Sequence, residues 1–199
     1  MITELQALAQ SGITYSKDQF DIERYKKILI IAAKLLSNNS NHKYTDVLEL
    51  FTNDSGYATP KIDLRAAVFK NKKILLVKEK NDNLWSIPGG WADVNLSPSE
   101  NIIKEIKEET GFDAVILKLI GIFDKRKNNG IIKWPHVYKI FFLCEINGCQ
   151  SEYSKDEIID INFFGLNNLP SLSKERVNED QIQKCFAHYT KKDVMADFD

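Results

Sequence analysis

Three glutamates, Glu105, Glu108 and Glu109, stand at i, i+3 and i+4 in the stretch IIKEIKEETGF, a spacing that gathers them on one side of an α-helix. Like charges at these spacings each disfavour an isolated helix by roughly 0.2–0.5 kcal/mol, so the cluster asks for a positive partner. An all-oxygen donor set suits Mg2+ or Mn2+, whereas zinc would prefer His or Cys, which this stretch lacks. A purely solvated acidic face is the alternative, since surface helices are normally charged. Pro88-Gly89-Gly90 speaks for the cation, because it ends an apolar run and brings bare backbone close to the helix.

The element that must carry the glutamates is delimited on both sides. Ser97 can cap free N–H groups, Pro98 suits the first helical position, and Glu100 can close a capping box. Gly111 supplies the stop. Between them Ile102, Ile103 and Ile106 form an apolar face to bury, beside the face that carries the glutamates.

This stretch resembles the signature of the Nudix hydrolases: a Gly, five residues, a Glu, seven residues, then Arg-Glu-apolar-x-Glu-Glu-x-Gly-apolar. Gly90, Glu105, Ile106, Glu108, Glu109, Gly111 and Phe112 match with the spacing intact. Leu96 stands where the first Glu is expected, which removes a carboxylate that in the family mostly supports the loop. Lys104 replaces the Arg, keeping the charge but losing the planar fork; it can pair with Glu100 or Glu108 at i±4. The resemblance implies an α/β/α sandwich with a mixed sheet. It also implies a catalytic metal site in which Glu105, Glu108 and Glu109, with a carbonyl of Gly89 or Gly90, hold Mg2+ or Mn2+. One more catalytic carboxylate is expected from the acidic loop Gln150 to Asp160; Glu157 matches best, with Asp160 and Glu152 behind it.

Residues 1 to 57 read as a separate helical domain, and 58 to 199 as the domain that holds the signature. Ser16 and Gln19 suggest a capping box ahead of a long helix in which Ile22, Tyr25, Leu29, Ala32 and Leu36 recur at three-and-four spacing, widened by Ile28, Ile31 and Leu35. Shorter helices are expected over 2 to 10 and 44 to 52. So apolar a helix needs more than one partner surface: it either packs between neighbouring helices or forms a subunit contact, and a homodimer is expected. The leader, LQALAQSGITYSKDQFDIERY with the apolar helix after it, resembles the helical domain of a bacterial Nudix subgroup that includes CDP-choline pyrophosphatases and ADP-ribose pyrophosphatases. By that resemblance the substrate is a nucleoside diphosphate linked to a second moiety, cleaved to a nucleoside monophosphate and a phosphorylated product. A nucleotide-sensing module without turnover is the competing reading.

From Thr59 the pattern changes to strands: Ile62 to Phe69, Lys73 to Lys78 across the turn Lys70-Asn71-Lys72, and Leu84 to Ile87. After the glutamate helix come strands over Ala114 to Phe123 and Val137 to Cys144, a charged loop over Asp124 to Asn129, and a last helix near Glu179 to Tyr189. The residues from Lys191 onward are expected to fray. Arg65, inside an apolar strand, should meet a carboxylate or a phosphate. Trp85, Trp91, Trp134 and Tyr138 are candidate platforms for a base, so Arg65, Trp85, Trp91, Lys104 and Tyr138 are the candidate substrate contacts.

Composition narrows the classes. A formal net charge of −1 gives no electrostatic pull toward nucleic acid or an anionic membrane, and no stable nucleic-acid partner is expected. The longest apolar run, Ile28 to Leu36, is interrupted by Lys34 and is too short to span a bilayer. Cys144, Cys149 and Cys185 are an odd, scattered set without metal-ligand spacing, which favours a reducing compartment and a cytoplasmic location.

Overall fold

The computed structural model describes residues 1–128, 134–191 and 193–199. They divide into two compact units, one formed by Met1–Lys61 with the described part of Asn129–His136, the other by Ile62–Asn128 with Val137–Asp199.

In the first unit three helices, α1 (Ile2–Tyr15), α2 (Gln19–Asn38) and α3 (Tyr44–Asn53), bury Ala9, Leu29, Ala32, Leu36, Val47 and Phe51. Of the stripe read from the sequence, Leu29, Ala32 and Leu36 are buried and Ile22, Tyr25, Ile28 and Leu35 partly so, whereas Ile31 is exposed, and the cap is not the one expected. Ser16 ends α1, its N–H bonded to the Gly12 carbonyl, and Asp18 caps α2 by accepting from the Asp21 N–H at 2.9 Å. The helices approach closely: a Cβ on Gly12 would meet the Tyr25 ring at 2.4 Å. Trp134, proposed from the sequence as a base platform, packs into this helical core instead, 5.1 Å from the Phe51 ring.

The second unit is one mixed sheet with a helix on each face. Its strands are β1 (Lys61–Lys70), β2 (Lys73–Glu79), β3 (Trp85–Ser86), β4 (Ala114–Asp124), β5 (Val137–Ile146), β6 (Ile158–Phe164) and β7 (Asp197–Phe198). Their order is β3-β2-β1-β5-β4-β7, with β6 also paired to β2. The central strands β1 and β2 are apolar on both faces because both are covered. Leu64, Ala66, Val68 and Leu75 pack against Ile102 and Ile106 of α4 (Pro98–Thr110), while Ala67, Phe69, Ile74 and Leu76 pack against Ile182, Cys185 and Phe186 of α5 (Glu179–Thr190). This period-2 division puts alternate residues of β1 on opposite layers. The β1–β2 turn uses Asn71 and Lys72 at positive φ, as a two-residue hairpin requires.

Besides α1, which runs on to Tyr15, the acidic loop and the C-terminal tail differ from the sequence reading. Asp160 belongs to β6, opposite Lys78, so the acidic loop ends before Ile158. The residues after Lys191 do not all fray: Asp197 and Phe198 pair in parallel with Gly121 and Ile122, and Lys184 and His188 hold the Asp197 carboxylate at 2.8 and 3.0 Å. A two-residue strand has no hydrophobic periodicity to reveal it.

The capping box of α4 is formed in both directions, and Gly111 closes the helix in the left-handed conformation at φ 71°. The acidic loop is anchored there. Ser151 N–H bonds the Gly111 carbonyl at 2.9 Å, Ser154 N–H bonds the Glu108 carbonyl at 2.9 Å, and the Gln150 amide bonds the Thr110 carbonyl at 3.0 Å. Carbonyls left over at the helix end thus hold the loop that carries Glu152 and Glu157. A Cβ on Gly111 would lie 2.2 Å from the Ser151 carbonyl oxygen. Gly111→Ala is therefore expected to lower unfolding free energy by about 1–3 kcal/mol, from the left-handed backbone and the displaced loop together. Urea denaturation checks this, and an unchanged midpoint would contradict it.

Candidate active site

Sequence places three glutamates on α4, and the fold gives each a different environment. Glu109 is 8% exposed, Glu105 half-buried and Glu108 exposed. Together with Glu157 they line one cleft of about 680 Å³, whose walls also include Glu152, Tyr153 and Asp156. Arg65, Trp85, Trp91, Lys104 and Tyr138 are not among the side chains that line it.

The glycines bring backbone onto the helix. Pro88, Gly90 and Ala92 bond along β1, with Ala66 N–H to the Pro88 carbonyl at 2.8 Å, Leu64 N–H to the Gly90 carbonyl at 2.8 Å, and Ala92 N–H to the Ile62 carbonyl at 3.0 Å. Gly89, at φ 134°, sits so close to β1 that a Cβ would meet the Leu64 carbonyl oxygen at 2.0 Å. Its N–H donates to Glu109 Oε2 at 2.9 Å. A Cβ on Gly90 would stand 3.3 Å from Glu105 Oε2, so the absence of a side chain leaves the room in which that carboxylate sits.

Burial pushes the Glu109 carboxyl up to about 8; the Gly89 N–H and Arg65 oppose the rise, and Glu105 and Glu79 add to it. Glu105 is raised as well, by burial first, with Lys104 and Arg65 opposing and Glu108 and Asp93 adding. The basic side chains nearby are all engaged. Arg65 meets a carboxylate: its Nε and Nη2 donate to Asp63 at 2.8 and 3.2 Å and its Nη1 to the Ile87 carbonyl at 3.3 Å. Burial pulls the guanidinium down, but Asp63, with Glu109 and Glu79 adding, leaves Arg65 above its ordinary value. Lys104 pairs with Asp93 at 2.8 Å and with Glu108 at 3.5 Å, the second being one of the two i±4 partners the sequence offers, while Glu100, the other, closes the capping box. Lys107 pairs with Asp113 at 2.8 Å.

Beside Asp63 lies a second buried basic side chain. Lys139, 3% exposed on β5, is 3.6 Å from Asp63 and donates to the Glu175 carbonyl at 2.9 Å and to that of Arg176. The strand reading named Arg65 and missed its partners. Asp63 was legible in principle, since i and i+2 on a strand share a face; Lys139 comes from a different strand and carried no local signal. Of the aromatic candidates, Trp85 packs edge-on against Phe164 at 4.8 Å in the core, while Trp91 and Tyr138 are 55% and 38% exposed.

A divalent cation fits this donor set in kind: hard oxygens, two of them on carboxyls whose ionised form is disfavoured by burial, facing backbone that has no side chain. As the side chains stand, no three His, Cys, Asp or Glu among the described residues converge as ligands of one ion. Glu109 is turned to the Gly89 N–H and Glu108 toward Lys104, so side-chain rotation at the cleft would have to accompany binding.

Comparison with known proteins agrees with the fold. Residues 61–185 match the model of the NUDIX domain, and residues 1–51 match that of a UDP-X-like, N-terminal oligomerisation domain. YjhB of Bacillus subtilis, provisionally named an ADP-ribose pyrophosphatase, is 38% identical over 98% of this chain and 93% of its own length. Among solved structures, an ADP-ribose pyrophosphatase of Streptococcus suis is 42% identical with a TM-score of 0.64, covering 71% of this chain and all (100%) of that one. A UDP-X diphosphatase is 33% identical with a TM-score of 0.65, covering 99% of this chain and 95% of that one.

The buried Lys139 beside Asp63 gives a measurable pH dependence. Burial pulls its ammonium down to about 7, with Asp63 opposing and Arg65 and Lys125 adding. Between that value and the ordinary lysine value the unfolded chain holds the proton and the folded chain does not, so this group's contribution to stability rises with pH. The stability of wild type minus that of Lys139→Met is therefore expected to climb between pH 7 and about 10, by at most about 1.4 kcal/mol per unit. Urea titrations across that range test it; a flat or falling difference would contradict the assignment.

Proposed function

This chain belongs to the Nudix hydrolase family, and from that premise we propose that it is a divalent-metal-dependent pyrophosphohydrolase of nucleoside diphosphates linked to a second group. ADP-ribose, CDP-choline and UDP-linked compounds are the candidate substrates, and the products are a nucleoside monophosphate and a phosphorylated remainder. One observation carries the reading: Glu105, Glu108, Glu109, Glu152, Asp156 and Glu157 line a single cleft, and the lysine among its walls, Lys107, is bound to Asp113. An anionic diphosphate enters such a place only with cations of its own. The ADP-ribose pyrophosphatase and UDP-X diphosphatase relatives support the substrate class.

In this proposal Glu105, Glu108 and Glu109, with a carbonyl of Gly89 or Gly90, hold Mg2+ or Mn2+. A bound ion supplies neutralisation of phosphate charge and a lowered pKa for water. Glu157 faces the same cleft from the loop anchored on α4 and takes the proton of the attacking water. Arg65, itself fixed by Asp63, biases Glu109 toward its ionised form. Trp91, next to Gly90 and half exposed, offers a face on which a base can stack, and Tyr138 a second.

The first unit is proposed to join two copies. It matches an oligomerisation domain, and Phe20 and Ile31 of α2 remain 68% and 54% exposed. Three unpaired cysteines support a cytoplasmic location. No helix among the described residues is long and apolar enough to cross a membrane.

Incubation with Mg2+ and ADP-ribose, CDP-choline or a UDP-sugar, with products resolved by ion-exchange chromatography, tests the reaction. Wild type is expected to release a nucleoside monophosphate. Glu109→Gln is expected to lower kcat by about a hundredfold or more, with a melting temperature unchanged or higher because a buried carboxyl has been removed. Full activity in that variant would remove Glu109 from the mechanism, and tight nucleotide binding by wild type without product would favour a sensing module.

A further inference from the structure

The loop from Pro88 to Leu96 must hold Gly89 and Gly90 against Glu109 and Glu105, and its two halves are fixed by different means. The first half lies along β1 through the three backbone bonds of Pro88, Gly90 and Ala92. The second half, Asp93 to Ser97, turns through Asn95 in the left-handed conformation at φ 67° and leaves the strand. What meets it is Asn101.

Asparagine is a poor helix former, yet Asn101 lies inside α4 and is 1% exposed. Its side-chain amide is fully engaged with the loop. Oδ1 accepts from the Asp93 N–H at 2.9 Å, and Nδ2 donates to the carbonyls of Asp93, Leu96 and Ser97 at 3.2, 3.3 and 3.3 Å. Two N–H groups serve three carbonyls, so at least one is shared. One turn along the helix Lys104 adds its bond to the Asp93 carboxylate at 2.8 Å. Leu96, at the position where the signature has a glutamate, offers only an apolar side chain, 39% exposed.

We propose that Asn101 is a positioning residue: its amide clamps the Asp93–Ser97 turn to α4, keeping the glycine backbone in register with Glu105 and Glu109. It thereby provides the loop support that the resemblance assigns to the glutamate absent at position 96. The kinetic part of this inference rests on the hydrolase reading; the structural part does not.

The test uses the full chain and Asn101→Ala. Hydrogen exchange, read by mass spectrometry on peptides covering residues 89–97, is expected to quicken by about tenfold or more while peptides of β2 stay as in wild type. With Mg2+ and ADP-ribose, kcat is expected to fall about tenfold or more with KM changed by less than about threefold. Adding Leu96→Glu to Asn101→Ala should restore most of both. Should Asn101→Ala fail to fold, Asn101→Ser, whose hydroxyl cannot span the three carbonyls, gives the same comparison. Unchanged exchange over 89–97, faster exchange with kcat intact, or no recovery in the double variant overturns the proposal. A wild type inactive on every nucleotide offered overturns the hydrolase reading instead, and the exchange comparison still decides the role of Asn101.

Discussion

The 2.9 Å contact between the Gly89 N–H and the Glu109 carboxylate is the constraint around which the second unit is arranged. It requires bare backbone and a helix-borne acid to meet at hydrogen-bond distance in a buried place. Only glycine permits the approach, since any side chain at 89 would strike the Leu64 carbonyl. The strand that supplies that carbonyl must therefore be rigid, and β1 is, with Leu64, Ala66 and Val68 packed on α4 and Ala67 and Phe69 packed toward α5.

Electrostatics is set by the same contact. Bringing Glu109 into the sheet–helix interface disfavours its charge, and the fold answers with the Gly89 N–H and with Arg65, itself oriented by Asp63. That answer is partial. Arg65, Lys104 and Lys107 each have a closer acid of their own, in Asp63, Asp93 and Asp113, so the cleft keeps an excess of carboxylates. The loop anchored at the helix end adds Glu152 and Glu157 to that excess instead of relieving it. In the proposed function this excess is what cations, and the phosphates that travel with them, would balance.

Much of this was legible in the sequence because it is local. Ser97, Pro98 and Gly111 mark α4 through backbone chemistry that acts within a few residues, and the apolar runs of β1 and β2 declare strands buried on both faces. What stayed hidden is set by tertiary contact. Asn101 looks like a mild flaw in a helix until the loop it holds is seen, and Lys139 looks like an ordinary charge until β5 is laid beside β1. The cap of α2 was misassigned because Ser16 and Asp18 both offer capping chemistry, and the length of α1, which runs on to Tyr15, decides between them. Burial sorted the aromatic residues in the same way: nothing in composition separates Trp85 and Trp134, which are packed, from Trp91, which is exposed. The grouping of three glutamates was visible from spacing, but not that one would be buried, one half-buried and one exposed.

The central claim is that the α4 carboxylates tolerate one another because a divalent cation joins them. Titration of the nucleotide-free protein with Mn2+, following free Mn2+ by electron paramagnetic resonance, tests it most directly. The account expects uptake by the wild-type chain that is lost when Glu105 and Glu109 are both replaced by glutamine. Uptake that survives the double replacement, or none by wild type even with a nucleotide present, would contradict it.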